Sequence, residues 1–296
     1  MKKTAFIAII GRPNVGKSTL LNALMDTKVA ITSPKPQTTR NRITGILTKG
    51  ECQYVFMDTP GMHKPKTRLG DYMMKAATGV GVDADCVLYV VEAEKSQNST
   101  EKAELERISA SKVPTILIIN KIDTISKEQI LKCISHYSEN YDFDAVVPIS
   151  ALQKDGLSFV FEEIDKHLSE GEWMFPEDMI TDQPERQMVS EIIREKLLLA
   201  LDDEIPHGTA VVIEEFKETE KKIKIRAEIF CERDSHKGII IGKDGAVLKK
   251  VGTEARLDIE KLLDTKVYLD LWVKVKKNWR DSMGALSNFG FDSSNL

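Results

Sequence analysis

Short apolar runs alternate with longer amphipathic stretches along the first part of the chain. Several of these runs are rich in Ile and Val and are short enough to be single buried strands. The alternation is typical of an α/β domain in which helices cover both faces of a mostly parallel sheet. The predicted parallel strands are Ala5–Ile10, Tyr54–Met57, Val87–Val91, Thr115–Ile119 and Ala145–Ile149.

One antiparallel strand is expected beside this parallel set. Arg42–Leu47 precedes Tyr54–Met57 across a short turn around Gly50, so these two segments are expected to pair as a hairpin. Leu157–Leu168 has the apolar spacing of a closing helix. After this helix the periodicity stops in a segment that contains Gly171, Pro176 and Pro184.

A different order of elements follows this break. It reads helix, strand, strand, helix, helix, strand, which is the order of an α+β type II KH domain. We therefore expect an α/β domain over 1–171, a linker over 172–187 and a KH-type domain with a C-terminal helix over 188–296. The predicted elements are a helix with Val189, Ile192, Ile193, Leu197 and Ala200 on one face, strands Ala210–Phe216 and Ile223–Phe230, a short helix at 237–241, a helix over 248–262 and strand Val267–Val275.

Length and cysteine usage agree with an intracellular two-domain protein. The chain has 296 residues, and domains commonly have roughly 150 residues each. Its four cysteines are scattered, which predicts reduced thiols in the cytoplasm rather than a disulfide framework. The apolar start is assigned to the first strand and not to a signal peptide. No run approaches the roughly 20 apolar residues that span a bilayer.

The loop after the first strand carries the sequence GRPNVGKS over residues 11–18. This is the pattern of a phosphate-binding loop, in the strand, loop and helix context that such a loop requires. Its glycines let backbone N–H groups form an anion site at a helix N-terminus. Lys17 is expected to reach the outer phosphates, and the Ser18 hydroxyl to bind Mg²⁺. The chain is therefore predicted to bind a nucleoside triphosphate.

Three further motifs follow, each at the carboxyl end of a predicted strand. Asp58 begins the sequence DTPG, at a position suited to a second Mg²⁺ contact. Asp123 ends the sequence NKID, and its carboxylate can accept from both N1–H and the exocyclic amine of guanine, donors that adenine lacks. A backbone amide of the sequence Ser-Ala-Leu at 150–152 can meet the guanine carbonyl oxygen. The base is therefore predicted to be guanine.

The GTP-binding residues are predicted from these four motifs and the residues next to them. They are Gly11, Arg12, Pro13, Asn14, Val15, Gly16, Lys17, Ser18, Thr19, Asp58, Thr59, Pro60, Gly61, Met62, Asn120, Lys121, Asp123, Ser150, Ala151 and Leu152.

In the second half, the turn Gly242-Lys243-Asp244-Gly245 is the chemical candidate. A Gly-x-x-Gly turn between two helices lets a nucleic-acid backbone approach closely, and the N-terminus of the following helix faces phosphate. The residues predicted to contact RNA are Lys237, Gly238, Ile241, Gly242, Lys243, Asp244, Gly245, Lys249 and Lys250.

Overall charge selects no partner. The chain carries 42 Lys and Arg against 46 Asp and Glu, so bulk electrostatics favour neither nucleic acid nor membrane. The lysines near the Gly-x-x-Gly turn form a local basic stripe that suffices for backbone contacts. A second basic group at 274–280 is explained equally well as a solvated surface. Trp279, Met283 and Leu286 recur at helical spacing, which favours a closing helix packed on the domain over one on a membrane surface.

These motifs together resemble the Era family of bacterial GTPases. The resemblance rests on the phosphate-binding loop with Asn14, on PQTTR at 36–40, DTPG, NKID and GIIIGKDG at 238–245, and it covers nearly the whole chain. It implies a GTPase domain followed by a type II KH domain. It further implies binding of 16S ribosomal RNA near its 3′ end, and assistance to 16S rRNA processing and small-subunit biogenesis.

The expected reaction is Mg²⁺-dependent attack of water on the γ-phosphate of GTP, with GDP as product. The resemblance gives Thr39 as the switch threonine, and spacing alone leaves Thr38 as the alternative. It also suggests a potassium ion held near Asn14. The predicted catalytic residues are Lys17, Thr39, Asp58 and Gly61, and the predicted Mg²⁺ ligands are Ser18, Thr39 and Asp58.

Intrinsic turnover is expected to be slow. Met62 stands where the best-known GTPases have a water-orienting glutamine, and a thioether cannot orient water by a strong hydrogen bond. His63 could be considered as a base, but an ordinary exposed loop histidine is the favoured interpretation.

A second class of function stays open for the C-terminal domain. It could contact a protein or the cytoplasmic face of the cell membrane, with nucleotide state controlling that partner. The Gly-x-x-Gly turn between two helices favours RNA instead.

Overall fold

The computed structural model describes residues 1–61, 65–78, 84–93 and 99–291. Met62 and His63, named above, lie outside the described residues. The chain divides into two compact units, with the main boundary between Asp182 and Gln183. This boundary falls inside the segment 172–187 predicted to be a linker.

The first unit is built on a mostly parallel sheet with the order β2-β3-β1-β4-β5-β6, and a short β7 pairs with β1. Parallel pairing joins β1 to β3 and β4, β4 to β5, and β5 to β6, whereas β2 and β7 run antiparallel to their neighbours. The predicted parallel sheet with an antiparallel β2 is confirmed; β7, with two residues, carries no pattern to predict it. The strands are β1 (Lys3–Ile10), β2 (Ile43–Lys49), β3 (Cys52–Asp58), β4 (Cys86–Glu92), β5 (Thr115–Asn120), β6 (Ala145–Pro148) and β7 (Ser169–Glu170).

Helices cover both faces of this sheet because the buried strand residues alternate between two cores. On β1, Ile7 and Ile9 belong to one core, and Ala8 and Ile10 belong to the other. The predicted closing helix ends early, because a 3-10 turn begins at Asp165. The helices are α1 (Lys17–Met25), α2 (Arg68–Thr78), α3 (Ser99–Ser111), α4 (Lys127–Asn140) and α5 (Leu157–Ile164).

The first part of the predicted linker is fastened to the first unit. Gln53 on β3 is fully buried, and its side chain accepts from the backbone N–H groups of Met174 and Phe175 at 2.9 and 3.0 Å. Farther along, the N–H of Ile46 donates to the carbonyl of Ile180 at 2.9 Å. Residues 172–182 therefore form a strap along β2 and β3.

The second unit has a three-stranded sheet with the order β10-β9-β8. β9 and β10 are parallel, and β8 is antiparallel to β9. Inward residues of β9 and apolar residues of two long helices, α6 and α8, share one core. The predicted order of elements is confirmed. The elements are α6 (Glu185–Ala200), β8 (Ala210–Glu218), β9 (Ile223–Cys231), α7 (Asp234–Ile241), α8 (Ala246–Leu262), β10 (Val267–Val275) and α9 (Met283–Asn288).

The predicted C-terminal closing helix is present as α9, but it begins at Met283 and does not include Trp279. Trp279 is buried in a separate 3-10 turn, and its indole N–H donates to the carbonyl of Gly208 at 2.9 Å. The side chain of Ser282 then caps α9, as short hydroxyl side chains do at helix starts. Leu286 is buried as expected, but Met283 is exposed.

Candidate functional site

The phosphate-binding loop connects β1 to α1, and its geometry depends on glycine. Gly16 has a φ of 98°, and a Cβ at this position would lie 2.2 Å from the side-chain nitrogen of Asn120. A side chain therefore fits neither the backbone conformation nor the space. The close approach sets the first turn of α1, which begins at Lys17.

Lys17 is buried under this loop. Its ammonium donates to the carbonyl oxygens of Gly11 and Arg12, both at 2.8 Å. Burial lowers the pKa of Lys17, and the carboxyl groups of Asp58 and Glu104 oppose that shift. A buried cation beside a concave row of amides is suited to phosphate.

Ser18, Thr39 and Asp58 meet at one point, although they come from α1, the loop before β2 and the end of β3. The Ser18 hydroxyl donates to Asp58 Oδ2 at 2.6 Å, and the Ser18 and Thr39 hydroxyl oxygens are 2.7 Å apart. Burial raises the pKa of Asp58 to about 6, while Lys17 and the two hydroxyl groups oppose the rise. Thr38, the alternative to Thr39, instead donates to the carbonyl of Lys35 at 2.6 Å.

This group of oxygens fits a magnesium ion. Asp58 Oδ1 is buried and has no hydrogen-bond partner among the described residues. A carboxylate and hydroxyl groups are the hard ligands that Mg²⁺ takes. Within the described ranges no cluster of three His, Cys, Asp or Glu side chains could hold a metal. The protein therefore offers a partial ligand set, which phosphate oxygens would complete.

Asn120 and Lys121 tie the predicted base-binding motif to the phosphate-binding loop. The Asn120 side chain donates to the carbonyl of Val15 at 2.8 Å and accepts from the N–H of Ala151 at 3.0 Å. The Lys121 ammonium donates to the carbonyl of Asn14 at 2.8 Å. These hydrogen bonds join three of the sequence motifs, and the bond from Ser18 to Asp58 joins the fourth to the phosphate-binding loop.

Asp123 is exposed at the surface of the 3-10 turn 122–124. This is where a carboxylate would be available to a base. The Asn14 side chain, proposed to hold potassium, donates to the carbonyl of Pro34 at 2.9 Å. Thr59 is buried, and its hydroxyl donates to the carbonyl of Ile9 at 3.0 Å.

The remaining predicted residues lie around the same edge of the sheet. Gly61, after β3, packs closely against the phosphate-binding loop, since a Cβ at this position would lie 2.5 Å from the Pro13 nitrogen. Pro60 is buried, Thr19 is half-buried in α1, Ser150 is buried and Leu152 is exposed.

A buried polar cluster on α3 has no counterpart in the sequence predictions. Arg12 Nε lies 2.7 Å from Glu101 Oε2, and the Tyr137 hydroxyl donates to the same carboxylate. The Tyr89 hydroxyl donates to Glu104 at 3.2 Å, and burial raises the pKa of Glu104 to about 7. Both glutamates lie in ordinary charged helical sequence, so no local motif marks them.

The Gly-x-x-Gly turn joins α7 to α8 as predicted. Gly242 has a φ of 76°, and a Cβ there would lie 2.5 Å from Val247 Cγ2. Lys243 and Asp244 are exposed. The space around Gly245 is open, since a Cβ at this position would meet no atom within 4 Å. The turn is therefore fixed at its first glycine and accessible at its second.

Beside this turn runs an open groove of about 400 Å³ between α8 and β10. Its helical residues recur every three or four positions, which is the signal that could have identified them. Of the predicted RNA contacts, Gly245 and Lys249 line it; Lys237, Gly238 and Ile241 lie on α7, and Lys250 lies on α8 near Glu254. The lining residues not predicted are Leu248, Gly252, Thr253, Arg256, Leu269 and Leu271.

Several side chains of the second basic group, at 274–280, contact other residues of the second unit. Arg280 Nη2 lies 2.6 Å from Glu232, and Lys274 pairs with Glu228. The Lys276 ammonium lies 5.2 Å from the ring centroid of Phe289. These contacts agree with the interpretation as a solvated surface. Across the described ranges, none of the helices is long and apolar enough for a membrane span.

Comparisons with known proteins address both units. The family described as 50S ribosome-binding GTPase matches residues 6–121, and the KH domain family matches residues 204–280. GTPase Era from Ruminiclostridium cellulolyticum is 50% identical over 99% of this chain and 98% of its own. Era from Aquifex aeolicus, a variant bound to GDP and AlF4⁻, is 40% identical with a TM-score of 0.94, covering 98% of this chain and 99% of its own. A structure of Era with MgGDPNP and nucleotides 1506–1542 of 16S ribosomal RNA matches with the same four values.

Proposed function

Since the chain belongs to the Era family of GTPases, we propose that it couples GTP hydrolysis to binding of 16S ribosomal RNA near its 3′ end. GTP hydrolysis itself follows from the family. Through the bound RNA the protein would assist 16S rRNA processing and biogenesis of the small ribosomal subunit. The observation that carries the RNA proposal is the groove beside the Gly-x-x-Gly turn.

In the GTPase unit, Lys17 and the loop amides hold the phosphates. The Lys17 ammonium is already buried and directed at the loop, where it donates to Gly11 and Arg12. Phosphate oxygens would take over these hydrogen bonds as charge-assisted contacts. Charge on the transferred phosphoryl group is then stabilised by a cation that is already positioned at the loop.

The metal position is assigned to Ser18, Thr39 and Asp58. When bound there, Mg²⁺ neutralises charge on the phosphate oxygens. Thr39 is preferred to Thr38 because its hydroxyl lies 2.7 Å from that of Ser18. Asp58 must be ionised to bind the ion, so Lys17 supports this role by opposing the rise of the Asp58 pKa.

Guanine is assigned to the pocket edge formed by Asp123 and the 150–152 loop. The exposed Asp123 carboxylate would accept two hydrogen bonds from guanine. Because the N–H of Ala151 donates to Asn120 at 3.0 Å, the loop that faces the guanine carbonyl is held in register with the phosphate-binding loop.

Water activation is assigned to positioning rather than to a strong base. Met62 cannot orient water as a glutamine does, so turnover is expected to be slow. A potassium ion near Asn14 would add positive charge beside the phosphates and so supply part of the charge stabilisation that hydrolysis needs. Hydrolysis rates in KCl and in NaCl at equal ionic strength test this ion; equal rates would remove it and leave the GTPase assignment intact.

In the KH unit, RNA recognition is assigned to the Gly-x-x-Gly turn and the groove. Lys243 and Gly245 are accessible to an RNA backbone, and Lys249 and Arg256 bring positive charge to the groove wall. Leu269 and Leu271 supply apolar contacts for unstacked bases on the β10 side. Such a combination of charge and apolar surface suits single-stranded RNA.

A paired titration of RNA and GTP tests the proposal. The double variant Lys243→Asp, Gly245→Asp places negative charge where phosphate must lie. Open space at Gly245 accepts the side chain, although its φ of 78° adds strain, so circular dichroism must verify the fold. We expect the variant to lose affinity for a single-stranded 16S rRNA fragment and to keep GTP affinity.

The control is Lys261→Asp, a charge change of the same sign at a side chain on α8 that is 80% exposed and does not line the groove. Undiminished RNA affinity of a folded double variant, at one stated salt concentration, would contradict the KH assignment. A parallel co-sedimentation with anionic vesicles tests the prediction of peripheral membrane contact, and co-sedimentation with small subunits tests the ribosomal partner.

A further inference from the structure

The edge strand β10 presents two different surfaces. Leu269 and Leu271 line the groove, whereas Tyr268, Asp270 and Trp272 alternate with them and point to the opposite face of the sheet, because side chains alternate along a strand. On that outer face Tyr268 is 50% exposed and Trp272 is 57% exposed. Exposed aromatic rings beside basic side chains offer surfaces on which bases stack.

The strand register places basic side chains beside Tyr268. Lys224 on β9 is its direct neighbour, and Lys217 on β8 is the direct neighbour of Lys224. The ammonium of Lys222, in the hairpin, lies 5.3 Å from the Tyr268 ring centroid. Two lysines opposite each other on adjacent strands repel; Lys224 pairs with Glu215 at 3.5 Å, whereas within the described ranges Lys217 forms no ion pair. A bound polyanion would remove this repulsion.

Trp272 is held in a defined orientation. Its indole N–H donates to Asp270 Oδ2 at 2.9 Å, and Arg226 Nε lies 3.7 Å from the same oxygen. The ring is therefore fixed at its polar edge while more than half of the residue stays exposed. A fixed, exposed ring can stack on a base with little loss of side-chain entropy.

Charge on the outer face favours an anionic partner. Its cations outnumber its anions, and the anions are among the less exposed side chains, at 32%, 33% and 13% for Glu215, Asp270 and Glu228. The aromatic rings are four residues apart on one strand, about 13 Å, and charged residues separate them. A protein interface would instead need a contiguous apolar centre. The basic residues of this face are Lys217, Lys222, Lys224, Arg226 and Lys274, of which Lys224 and Arg226 pair with Glu215 and Lys274 pairs with Glu228.

We propose that this outer face binds a second segment of single-stranded RNA, with bases stacked on Tyr268 and Trp272 and phosphates near Lys217, Lys224 and Arg226. The inference rests on the proposed RNA-binding function, since a strand that leaves the groove reaches this face by crossing β10. Stacking on aromatic side chains beside basic residues is a common mode of single-strand recognition on sheets.

Binding measurements with RNAs of two lengths distinguish this surface from the groove. A strand of about four nucleotides fills a KH groove, and a strand of about twelve extends beyond it. We expect Trp272→Ala and Tyr268→Ala each to weaken the long RNA about tenfold and to leave the short RNA unchanged. Trp272→Phe should retain most of the affinity because it keeps a ring.

The matched control is Leu199→Ala, which removes a side chain on α6 that is 51% exposed. It should leave both RNAs unaffected. The double variant Lys243→Asp, Gly245→Asp provides the reference for the groove and should weaken both RNAs. Circular dichroism and GTP affinity verify that each variant is folded.

The outcomes distinguish the two proposals. One outcome is that the groove variant loses affinity for both RNAs while the folded Trp272→Ala and Tyr268→Ala proteins bind the long RNA normally. This outcome overturns the proposal that the outer face binds a second RNA segment, and it favours a protein partner for that face. Equal losses for short and long RNA in the aromatic variants also overturn it, because those rings would then act in the groove. A groove variant that binds both RNAs normally overturns the proposed function itself.

Discussion

The side-chain nitrogen of Asn120 donates to the carbonyl oxygen of Val15 at 2.8 Å, so the motif after β5 is fastened to the phosphate-binding loop after β1. The same side chain accepts from Ala151 at 3.0 Å, in the loop after β6. Asn120 is 2% exposed, and both its polar atoms are used. The proposed base and phosphate sites are therefore connected by hydrogen bonds through one side chain.

Asn120→Ala should weaken every nucleotide, whatever its base. The change leaves the Val15 carbonyl and the Ala151 N–H without this partner, at about 1–3 kcal/mol for each buried group. We expect GDP affinity to fall about 10- to 100-fold and xanthosine diphosphate affinity to fall in parallel. Titrations with the two nucleotides measure this, and a loss confined to GDP would show that Asn120 acts on the base alone.

Asp123→Asn should change base preference instead. Asp123 is exposed, so its substitution leaves the connections of Asn120 intact. An amide in place of the carboxylate cannot accept both guanine donors, and each lost charge-assisted bond costs on the order of 1.5 to 3 kcal/mol. GTP should bind much more weakly and xanthosine triphosphate should improve relative to GTP. Unchanged GTP affinity would remove the guanine assignment.

Hydrophobic periodicity and motifs predicted the fold because both depend on residues that are close together in the sequence. The alternation of β10 and the apolar face of α8 are visible in sequence, and the structure has strand Val267–Val275 as predicted. The start of α9 after Ser282 could not be predicted, because Trp279 and Leu286 keep helical spacing across this position. The strap could not be predicted, because Gln53 binds backbone atoms of residues 174 and 175, and backbone contacts leave no pattern in the sequence.

The residues of the candidate sites could be predicted only where they lie in contiguous motifs. Arg256 and Leu271 were not predicted, because they line the groove from two separate elements. Adjacent Thr38 and Thr39 could not be separated by spacing. Three-dimensional contacts separate them, since the Thr39 hydroxyl lies 2.7 Å from Ser18 and that of Thr38 donates to Lys35.

Thr39→Ala should therefore impair hydrolysis, and Thr38→Ala should serve as its matched control. Removing the Thr39 hydroxyl deletes one of the oxygens that meet at Asp58. We expect Thr39→Ala to lower kcat at least tenfold and to require more Mg²⁺ for half-maximal rate, while Thr38→Ala changes neither by more than about twofold. A magnesium titration of the hydrolysis rate decides this, and the reverse ranking would assign the role to Thr38.

The buried carboxyl group of Glu104 gives the first unit a pH-dependent stability. Burial raises the pKa of Glu104 to about 7 from the ordinary value of 4.5. Below about pH 4.5 the folded and unfolded chains both hold this proton, so the group adds no penalty. Between pH 4.5 and 7 the unfolded chain releases the proton first, so stability falls as pH rises, by up to about 3 kcal/mol above pH 7.

Glu104→Gln should remove this loss, because the amide stays neutral and its oxygen still accepts from the Tyr89 hydroxyl. We expect the variant to be more stable than the parent at pH 8, by up to about 3 kcal/mol, and the difference to shrink towards zero at pH 5. Urea unfolding of nucleotide-free protein at the two pH values measures it. The matched control is Glu106→Gln, an exposed position on the same helix, which should show no such change with pH. A difference that is equal at pH 5 and pH 8 would mean that Glu104 is ionised in the folded protein, held so by Lys17 and Arg107 against its burial.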